Sequence, residues 1–165
     1  MSKFMKLRYL VLVVYVFLAG CGGSSDTAAE PGVSLAFADE QSEFLVANAA
    51  RENVIVTESG LQYEVLTEAE GARPTPQSNI TVHYVGTLID GTVFDSSVAR
   101  GQPATFQLSG TIAGWVEGLQ LMSVGSKFQF FIPSDLAYGD RGTGSVIDPG
   151  DTLIFVVELL EINSN

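Results

Sequence analysis

Short runs of alternating apolar and polar residues recur along this chain, and each run predicts a half-buried β-strand. Glycine, proline, serine and aspartate, the residues that form turns, separate the runs. The predicted strands are residues 54–56, 61–67, 104–108, 127–132 and 152–162, together with the two arms of a hairpin over residues 82–97. Because strands joined by short turns pair in antiparallel fashion, we expect an antiparallel sheet.

The hairpin, VHYVGTLIDGTVFDSS, is the stretch around which the domain is expected to be organised. Alternation places one set of side chains on a common face: Val82, Tyr84 and Leu88. Asp90-Gly91 predicts a two-residue turn, in which both central residues have positive φ. Beyond the turn, Phe94 resumes the apolar run and Asp95 ends it. The hairpin therefore brings two aromatic rings, Tyr84 and Phe94, near one carboxylate.

Helical periodicity appears in two places. Early acidic residues and a partly apolar face predict a short helix within residues 39–53, preceded by a small, polar and flexible tether over residues 21–38. Trp115, Leu119 and Met122, at i, i+4 and i+7, predict a second helix that stops near Gly125. Glycines at two interior positions of that helix cost roughly 1 kcal/mol each, so other contacts must hold it. One short helix among antiparallel strands indicates an α+β domain over residues 54–165.

A long loop over residues 134–151 separates the last two predicted strands. Loops of this length in a compact domain are usually functional or disordered. Four residues make this loop apolar enough to fold back over the domain: Leu136, Tyr138, Val146 and Ile147.

Residues 1–20 have the pattern of an export signal. Three basic residues precede an apolar run over residues 9–19, which is too short to span roughly 30 Å of hydrocarbon as a helix. Cys21 directly follows Leu-Ala-Gly, which resembles the bacterial lipobox and implies that Cys21 is acylated as a membrane anchor. The alternative is an ordinary signal peptide with an incidental cysteine. Gly22 stands where inner-membrane lipoproteins carry aspartate, so the resemblance implies an outer membrane, facing the periplasm.

Charge narrows the range of partners. The chain carries a formal net charge of -11, and all 19 of its acidic residues follow residue 20. Phosphate backbones would repel so acidic a protein, so nucleic acid is not an expected partner.

Little in the sequence supports nucleophilic or metal chemistry. The chain has one histidine and one cysteine, and alternation puts His83 on the strand face away from the aromatic residues. The glycines and aspartates of residues 139–151 have neither calcium-loop nor phosphate-loop spacing. We therefore expect no metal and no cofactor. Asp95 could pair with Asp140 or Asp148 as an acid–base couple, although no spacing demands it.

Core packing is the ordinary role of each aromatic residue. The order of the segments that carry these residues indicates a second role. Five segments follow one another: VHYVGTLIDGTVFDSS, GQPATFQL, GWVEGLQLMSVGSK, IPSDLAYG and TLIFVVELLEI. In this order they resemble an FKBP-type peptidyl-prolyl cis-trans isomerase, in the bacterial branch that includes macrophage infectivity potentiators. The resemblance covers residues 54–162 and implies a twisted antiparallel sheet wrapped around one short helix.

The resemblance also implies a proline-binding pocket built from all of these segments. Its lining would comprise Tyr84, Phe94, Asp95, Phe106, Thr111, Ile112, Trp115, Tyr138, Val146, Ile147 and Phe155. Trp115 would form the floor, and Phe94 and Phe155 would form the walls. The Ile112 N–H and the Tyr138 hydroxyl would bind substrate carbonyls. The implied catalytic residues are Phe94, Asp95, Tyr138 and Phe155.

Asp95 has two expected roles under this resemblance. Its carboxylate would either orient Tyr138 or face the strained substrate carbonyl. The alternative is an aspartate that only caps a turn.

Three positions depart from the family pattern and affect ligand preference: Ala104 in place of an aromatic, Gly144 in place of a bulkier rim residue, and Asp148 where the family usually has proline.

The implied activity is rotation about Xaa-Pro bonds in proline-containing unfolded or exported polypeptides, without covalent chemistry and with macrolides as inhibitors. One alternative is a non-catalytic chaperone that holds unfolded exported chains in the same groove. Another is a structural lipoprotein that retains the fold without the activity. Many infectivity potentiators carry a long dimerisation helix before this domain, and only a short helix is predicted here, so a lipid-tethered monomer is expected.

Overall fold

A computed structural model describes residues 31–163, with side chains described from residue 40 onward. The predicted export signal, Cys21 and the first part of the predicted tether lie outside the described residues. The helices are α1 (Pro31–Ala49) and α2 (Ala113–Leu119). The strands are β1 (Ile55–Val56), β2 (Gln62–Thr67), β3 (Asn79–Thr87), β4 (Val93–Ser96), β5 (Ala104–Gln107), β6 (Lys127–Ile132) and β7 (Leu153–Asn163).

The strands form one antiparallel sheet in the order β1-β2-β6-β7-β3-β4, and β5 pairs with β3 beside β4. The central pair is β3 with β7, which run together from Asn79 opposite Asn163 to Thr87 opposite Ile154. Ile80, Val82 and Tyr84 alternate with more exposed neighbours and face the core, as the sequence predicts. The predicted antiparallel α+β fold, with one short helix in the domain and another before it, is confirmed.

Helix α2 packs closely against the core face of the sheet at its two glycines. A Cβ atom at Gly114 would lie 2.5 Å from the Ile132 side chain, and one at Gly118 would lie 2.6 Å from the Phe130 ring. The glycines therefore allow a close approach, and the packing of Trp115 and Leu119 compensates for their low helix propensity. The helix ends at Leu119, earlier than the predicted apolar stripe, although Met122 is buried beyond it.

We expect Gly118→Ala to destabilise the protein by about 1 to 2 kcal/mol. Overpacking against the buried Phe130 ring costs about 1–3 kcal/mol, and the better helix propensity of alanine returns up to about 1 kcal/mol. Urea unfolding measures the difference. Gly110→Ala is the control, because a Cβ there meets nothing within 4 Å. Equal destabilisation by the two substitutions would contradict this explanation of Gly118.

The hairpin turn differs from the prediction. The Gly91 N–H donates to the Leu88 carbonyl at 3.0 Å, and the Leu88 N–H donates to the Thr92 carbonyl at 2.9 Å. Gly91 has φ +87°, whereas Asp90 does not have positive φ. The predicted two-residue turn is therefore wrong, and the loop has three residues. The Asp90 carboxylate stabilises it by accepting the Thr92 N–H at 2.8 Å and the Thr92 hydroxyl at 2.9 Å.

Helix α1 begins at Pro31, earlier than predicted, and the assignment of residues 31–38 to a flexible tether is wrong. Proline suits the first turn of a helix because its φ is already fixed near the helical value. Phe44 of α1 packs on Phe131, with ring centroids 6.1 Å apart. Since Phe130 and Ile132 face α2, alternation places α1 on the opposite face of the sheet. Among residues 31–163, neither helix has the length and apolar character that crossing a bilayer requires.

Candidate active site

The core face of the sheet opens into a cavity of about 920 Å³. Its walls come from β3, β4, β5, β7, the start of α2 and the loop before β7. The lining residues are Tyr84, Phe94, Asp95, Phe106, Gly110, Thr111, Ile112, Ala113, Trp115, Ala137, Tyr138, Thr143, Gly144, Ser145, Val146, Ile147 and Phe155. All eleven residues that the sequence analysis assigned to a binding pocket are among them.

Trp115 lies at the centre of an aromatic cluster in this cavity and is 4% exposed. The rings of Tyr84, Phe106 and Phe155 stand nearly perpendicular to it, at centroid distances of 5.3, 5.6 and 5.2 Å. Phe94 meets Phe155 edge-on at 5.3 Å. Edge-to-face contacts of this kind are favourable and fix the ring orientations. The cluster is thus a rigid apolar surface in which each ring holds its neighbours.

Gly86 creates the space that two of these rings occupy. A Cβ atom there would lie 2.6 Å from the Phe94 ring and 2.9 Å from the Phe155 ring. Position 86 faces the core in the alternation of β3, so a side chain would enter the cavity wall. A glycine at this strand position therefore permits the two phenylalanines to meet.

One edge of the cavity is polar. The Tyr84 hydroxyl donates to the Asp95 carboxylate, and Arg100 donates to the same carboxylate and to the Tyr84 oxygen. Burial, followed by the hydrogen bond to Asp95, raises the pKa of Tyr84. Burial alone would raise the pKa of Asp95, but the hydrogen bonds from Tyr84 and Arg100 and the charge of Arg100 outweigh it, so that pKa is lowered.

Asp95 does not contact the partner that the sequence analysis proposed. Its hydrogen bonds go to Tyr84 and Arg100, and the expectation that it orients Tyr138 is wrong. The physical reason is the register of the hairpin, which pairs Asp95 with Gly86 and brings it beside Tyr84. The side chain therefore fixes a ring of the cavity wall.

Ser97 holds the backbone of Tyr84 from the other side. Its hydroxyl accepts the Tyr84 N–H at 2.8 Å, and its own N–H donates to the Tyr84 carbonyl at 3.0 Å. His83 Nδ1 lies 3.1 Å from the same hydroxyl. His83 is therefore a packed strand residue outside the cavity lining, as the alternation predicts. Within residues 31–163, no cluster of ligating side chains could hold a metal ion.

We expect the Tyr84–Asp95 hydrogen bond to survive unchanged from about pH 5 to about pH 8. The lowered pKa of Asp95 keeps it ionised, and its contribution to stability is lost only as the pH falls through that lowered value. The raised pKa of Tyr84 keeps the hydroxyl protonated. Ultraviolet absorbance of tyrosinate and the carboxyl carbon shift of Asp95, followed by NMR, measure both groups. A titration of either group inside this range would contradict the arrangement.

The loop before β7 forms the opposite rim of the cavity, and we call residues 139–151 the rim loop. Thr143 and Ile147 pair with each other, through N–H···O contacts of 2.9 and 3.3 Å, and the Gly150 N–H donates to the Gly139 carbonyl at 3.0 Å. Ile147 is buried against the cluster, whereas Val146 is 42% exposed. The predicted folding back of this apolar loop over the domain is confirmed for Ile147.

Two family models match this chain. The model of FKBP-type peptidyl-prolyl cis-trans isomerases matches residues 70–160, more than half of the chain. The chain belongs to the FKBP-type peptidyl-prolyl cis-trans isomerase family. A second model, the domain amino terminal to FKBP-type peptidyl-prolyl isomerases, matches residues 28–65 and so includes α1.

Curated relatives share this FKBP-type region. The chain is 57% identical over 127 residues to the FKBP-type 22 kDa peptidyl-prolyl cis-trans isomerase of Escherichia coli, covering 77% of this chain and 62% of that protein. It is 50% identical over 119 residues to the outer membrane protein MIP of Legionella longbeachae, covering 72% of this chain and 51% of that protein. The chain thus spans 51% to 62% of the length of these two relatives.

Solved structures agree with the FKBP-like fold. FkpA from Escherichia coli superposes with a TM-score of 0.75 at 38% identity, over 79% of this chain and 62% of that one. A peptidyl-prolyl cis-trans isomerase from Pseudomonas syringae superposes with a TM-score of 0.74 at 34% identity, over 87% of this chain and 100% of that one.

Sequence reasoning missed several residues in and next to this FKBP-type cavity. The sequence analysis assigns no role to Arg100, which binds Asp95 at the polar edge, although a cation five residues after Asp95 could have signalled an ion pair. Ala113 and Ala137 line the cavity without any chemical signal of their own. Only the three-dimensional arrangement reveals that these two small side chains belong to the lining.

Proposed function

We propose that this protein accelerates cis–trans isomerisation of Xaa-Pro bonds in proline-containing unfolded polypeptides, with the proline ring bound over Trp115. The observation that carries the proposal is the cluster of perpendicular rings around Trp115 at the base of an open cavity. A flat, apolar floor with aromatic walls complements a pyrrolidine ring. Family membership makes this the activity to test first.

The proposed reaction requires no nucleophile and no acid–base pair. Resonance in the imide bond creates a barrier of about 18–20 kcal/mol, and uncatalysed isomerisation takes roughly 10–100 s. The twisted transition state has lost this resonance and is less polar than the planar ground state. An apolar cavity therefore binds the twisted form in preference, and a rate gain of about 10³- to 10⁵-fold needs about 4–7 kcal/mol of such preference.

Two polar groups would align the substrate above the aromatic floor. The Tyr138 hydroxyl and the Ile112 N–H are proposed to donate to substrate carbonyls on either side of the proline. Tyr138 lines the cavity and is 41% exposed, so a peptide in the cavity can reach its side chain. Ile112 caps α2 in an extended conformation, with φ −63° and ψ 153°, and its carbonyl accepts the Trp115 N–H. Asp95 is proposed to act through Tyr84, by fixing that ring.

A protease-coupled isomerisation assay tests the activity. It uses peptides Ala-Xaa-Pro-Phe, in which Xaa, the residue before proline, is varied. The full chain should accelerate the slow phase for at least some of these peptides, and a macrolide that fills the cavity should suppress the effect. A folded sample without acceleration for any peptide would contradict the proposal.

A non-catalytic chaperone function is the second candidate, because the rim exposes apolar side chains. Val146 is 42% exposed and Tyr138 is 41% exposed, and both line the cavity. These residues could hold unfolded chains without isomerising them. Suppression of aggregation by a chain that fails the isomerisation assay would favour this candidate.

We also propose that the protein is exported and anchored by lipid on Cys21, facing the periplasm from an outer membrane. The basic and apolar pattern of residues 1–20 supports export, and a relative carries the name outer membrane protein MIP. Mass spectrometry of the protein from a bacterial membrane fraction should find acyl chains on an N-terminal Cys21. The Cys21→Ser variant should lose them and leave the membrane. An unmodified Cys21 in the mature protein would contradict the proposal.

The proposed oligomeric state is a monomer. Phe44 and the buried side chains of Gln41 and Asn48 pack α1 on its own sheet. Sedimentation equilibrium of the soluble chain should give the monomer mass, and a dimer at micromolar concentration would contradict this proposal.

A further inference from the structure

Buried amide side chains attach α1 to the back of the sheet. Asn48 Nδ2 donates to Gln62 Oε1 at 2.8 Å, and Gln62 Nε2 donates to the Leu45 carbonyl at 3.0 Å. Gln41, earlier in the same helix, is also buried and reaches Asp151 at the end of the rim loop. Buried amides must satisfy their donors and acceptors, so these contacts fix where α1 lies.

Gln41 makes a double contact at the junction of the rim loop and β7. Its Oε1 accepts the Thr152 N–H at 2.9 Å, and its Nε2 lies 3.4 Å from Asp151 Oδ1. A backbone N–H can only donate and an ionised carboxylate can only accept, so this amide orientation satisfies both partners. Gln41 and Asp151 are 6% and 5% exposed, and water therefore has little access to replace either contact.

The same carboxylate continues into the rim of the cavity. Asp151 Oδ2 accepts the Asp148 N–H at 2.7 Å. Asp148 directly follows Ile147, whose side chain lines the cavity and whose backbone pairs with Thr143. A chain of contacts thus runs from α1 through Gln41 and Asp151 to Ile147.

We propose that Gln41 is a positioning residue, through which α1 holds the rim loop in the conformation that places Ile147 against the bound substrate. The kinetic part of this inference rests on the proposed isomerase function. Gln41 does not line the cavity, so its loss should weaken substrate binding by loosening the rim. The rings that surround Trp115 should stay in place, and kcat should change much less than KM.

Amide hydrogen exchange of Asp148 and Thr152, measured by NMR together with KM, tests the proposal. Gln41→Leu removes both contacts and leaves buried polar groups unsatisfied, so exchange of these two amides should accelerate roughly 10- to 100-fold. KM should rise about threefold or more with kcat within about twofold. Gln41→Glu should have a similar effect, because it places two carboxylates together.

A double substitution distinguishes a direct contact from general damage. When Gln41→Glu and Asp151→Asn are combined, the carboxylate and the amide exchange places. The new carboxylate at position 41 can accept from the new amide at position 151 and from the Thr152 N–H, while the oxygen of that amide accepts the Asp148 N–H. The double variant should recover parental exchange and KM to within about twofold. Glu43→Gln, an exposed change on the same helix, is the control and should alter neither quantity.

Hydrogen exchange of the slowest-exchanging amides of β3 and β7 distinguishes local opening of the rim loop from global unfolding. Unchanged protection there, with faster exchange at Asp148 and Thr152, supports the proposal. Parental exchange and KM in Gln41→Leu would overturn it, and so would a double variant no better than Gln41→Glu. An inactive parent protein would count against the isomerase function, and the exchange measurements would still decide whether Gln41 holds the rim loop.

Discussion

Phe155→Leu is expected to lower kcat/KM roughly 10- to 100-fold in a protein that stays folded, which corresponds to about 1.4–2.7 kcal/mol of lost transition-state stabilisation. The Phe155 ring stands edge-on to the rings of Trp115 and Phe94, with centroid distances of 5.2 and 5.3 Å. Its centroid is also 6.2 Å from that of the Tyr84 ring. Leucine fills most of the volume but supplies no flat wall. The three neighbouring rings would lose the contact that holds their mutual angles, and the isomerisation assay measures the result.

Phe128→Leu is the matched control for Phe155→Leu. Phe128 and Phe155 are buried to a similar extent, at 7% and 6% exposure, and both project from the core face of the sheet. Phe128 stacks on Tyr63 at 5.7 Å, and it does not line the cavity. Its substitution should destabilise the fold by a similar amount and leave kcat/KM within about twofold. Equal loss of activity in the two variants would show that general destabilisation, and not the cavity wall, explains the effect.

Asp95→Ala is expected to lower kcat/KM about tenfold with little change in thermal stability. Without the carboxylate, the Tyr84 hydroxyl and Arg100 lose the acceptor that orients them at the cavity edge. The Asp95–Arg100 ion pair is half-exposed, at 41% and 50%, and pairs of this kind contribute little to stability. Asp95→Asn retains an acceptor for the Tyr84 hydroxyl and should lose less activity. A melting temperature near that of the parent would separate this positioning role from a structural one.

A double-mutant cycle tests whether Asp95 acts through Tyr84. In a Tyr84→Phe background the effect of Asp95→Ala should shrink, because the hydroxyl it orients is already absent. Asp90→Asn is the control, since that carboxylate binds Thr92 at the hairpin tip and lies outside the cavity lining. Full turnover and normal stability in Asp95→Ala would end the proposed role and leave a residue that only shapes the turn.

The sequence predicted the strands well because their pattern is local. Alternation in β3 and the apolar run of β7 are decided by which face each residue presents to the core. The predictions for the hairpin turn and for the start of α1 were wrong, because small differences in local free energy decide turn length and helix boundaries. The loop at Asp90-Gly91 has three residues, and the Asp90 carboxylate binds Thr92 within it. Helix α1 extends back to Pro31 although Gly32 has a low helix propensity.

The cavity lining was predicted from the family resemblance, but the hydrogen bonds that hold the lining residues in place could not be predicted. The partner of Asp95 follows from hairpin register, which brings Tyr84 beside it and leaves Tyr138 on a separate loop. The contact of Gln41 with Asp151 joins residues 110 positions apart, and no periodic pattern marks either one. Such contacts are specified by tertiary packing and have no local signal.

The most direct measurement of the central claim uses Trp115, the single tryptophan of the chain. Exchange NMR of an Ala-Pro peptide measures cis–trans interconversion while Trp115 fluorescence reports occupancy of the cavity in the same titration. We predict that interconversion accelerates and that fluorescence changes over the same range of peptide concentration. Unaccelerated interconversion with folded protein, or acceleration without any response of Trp115, would contradict the account.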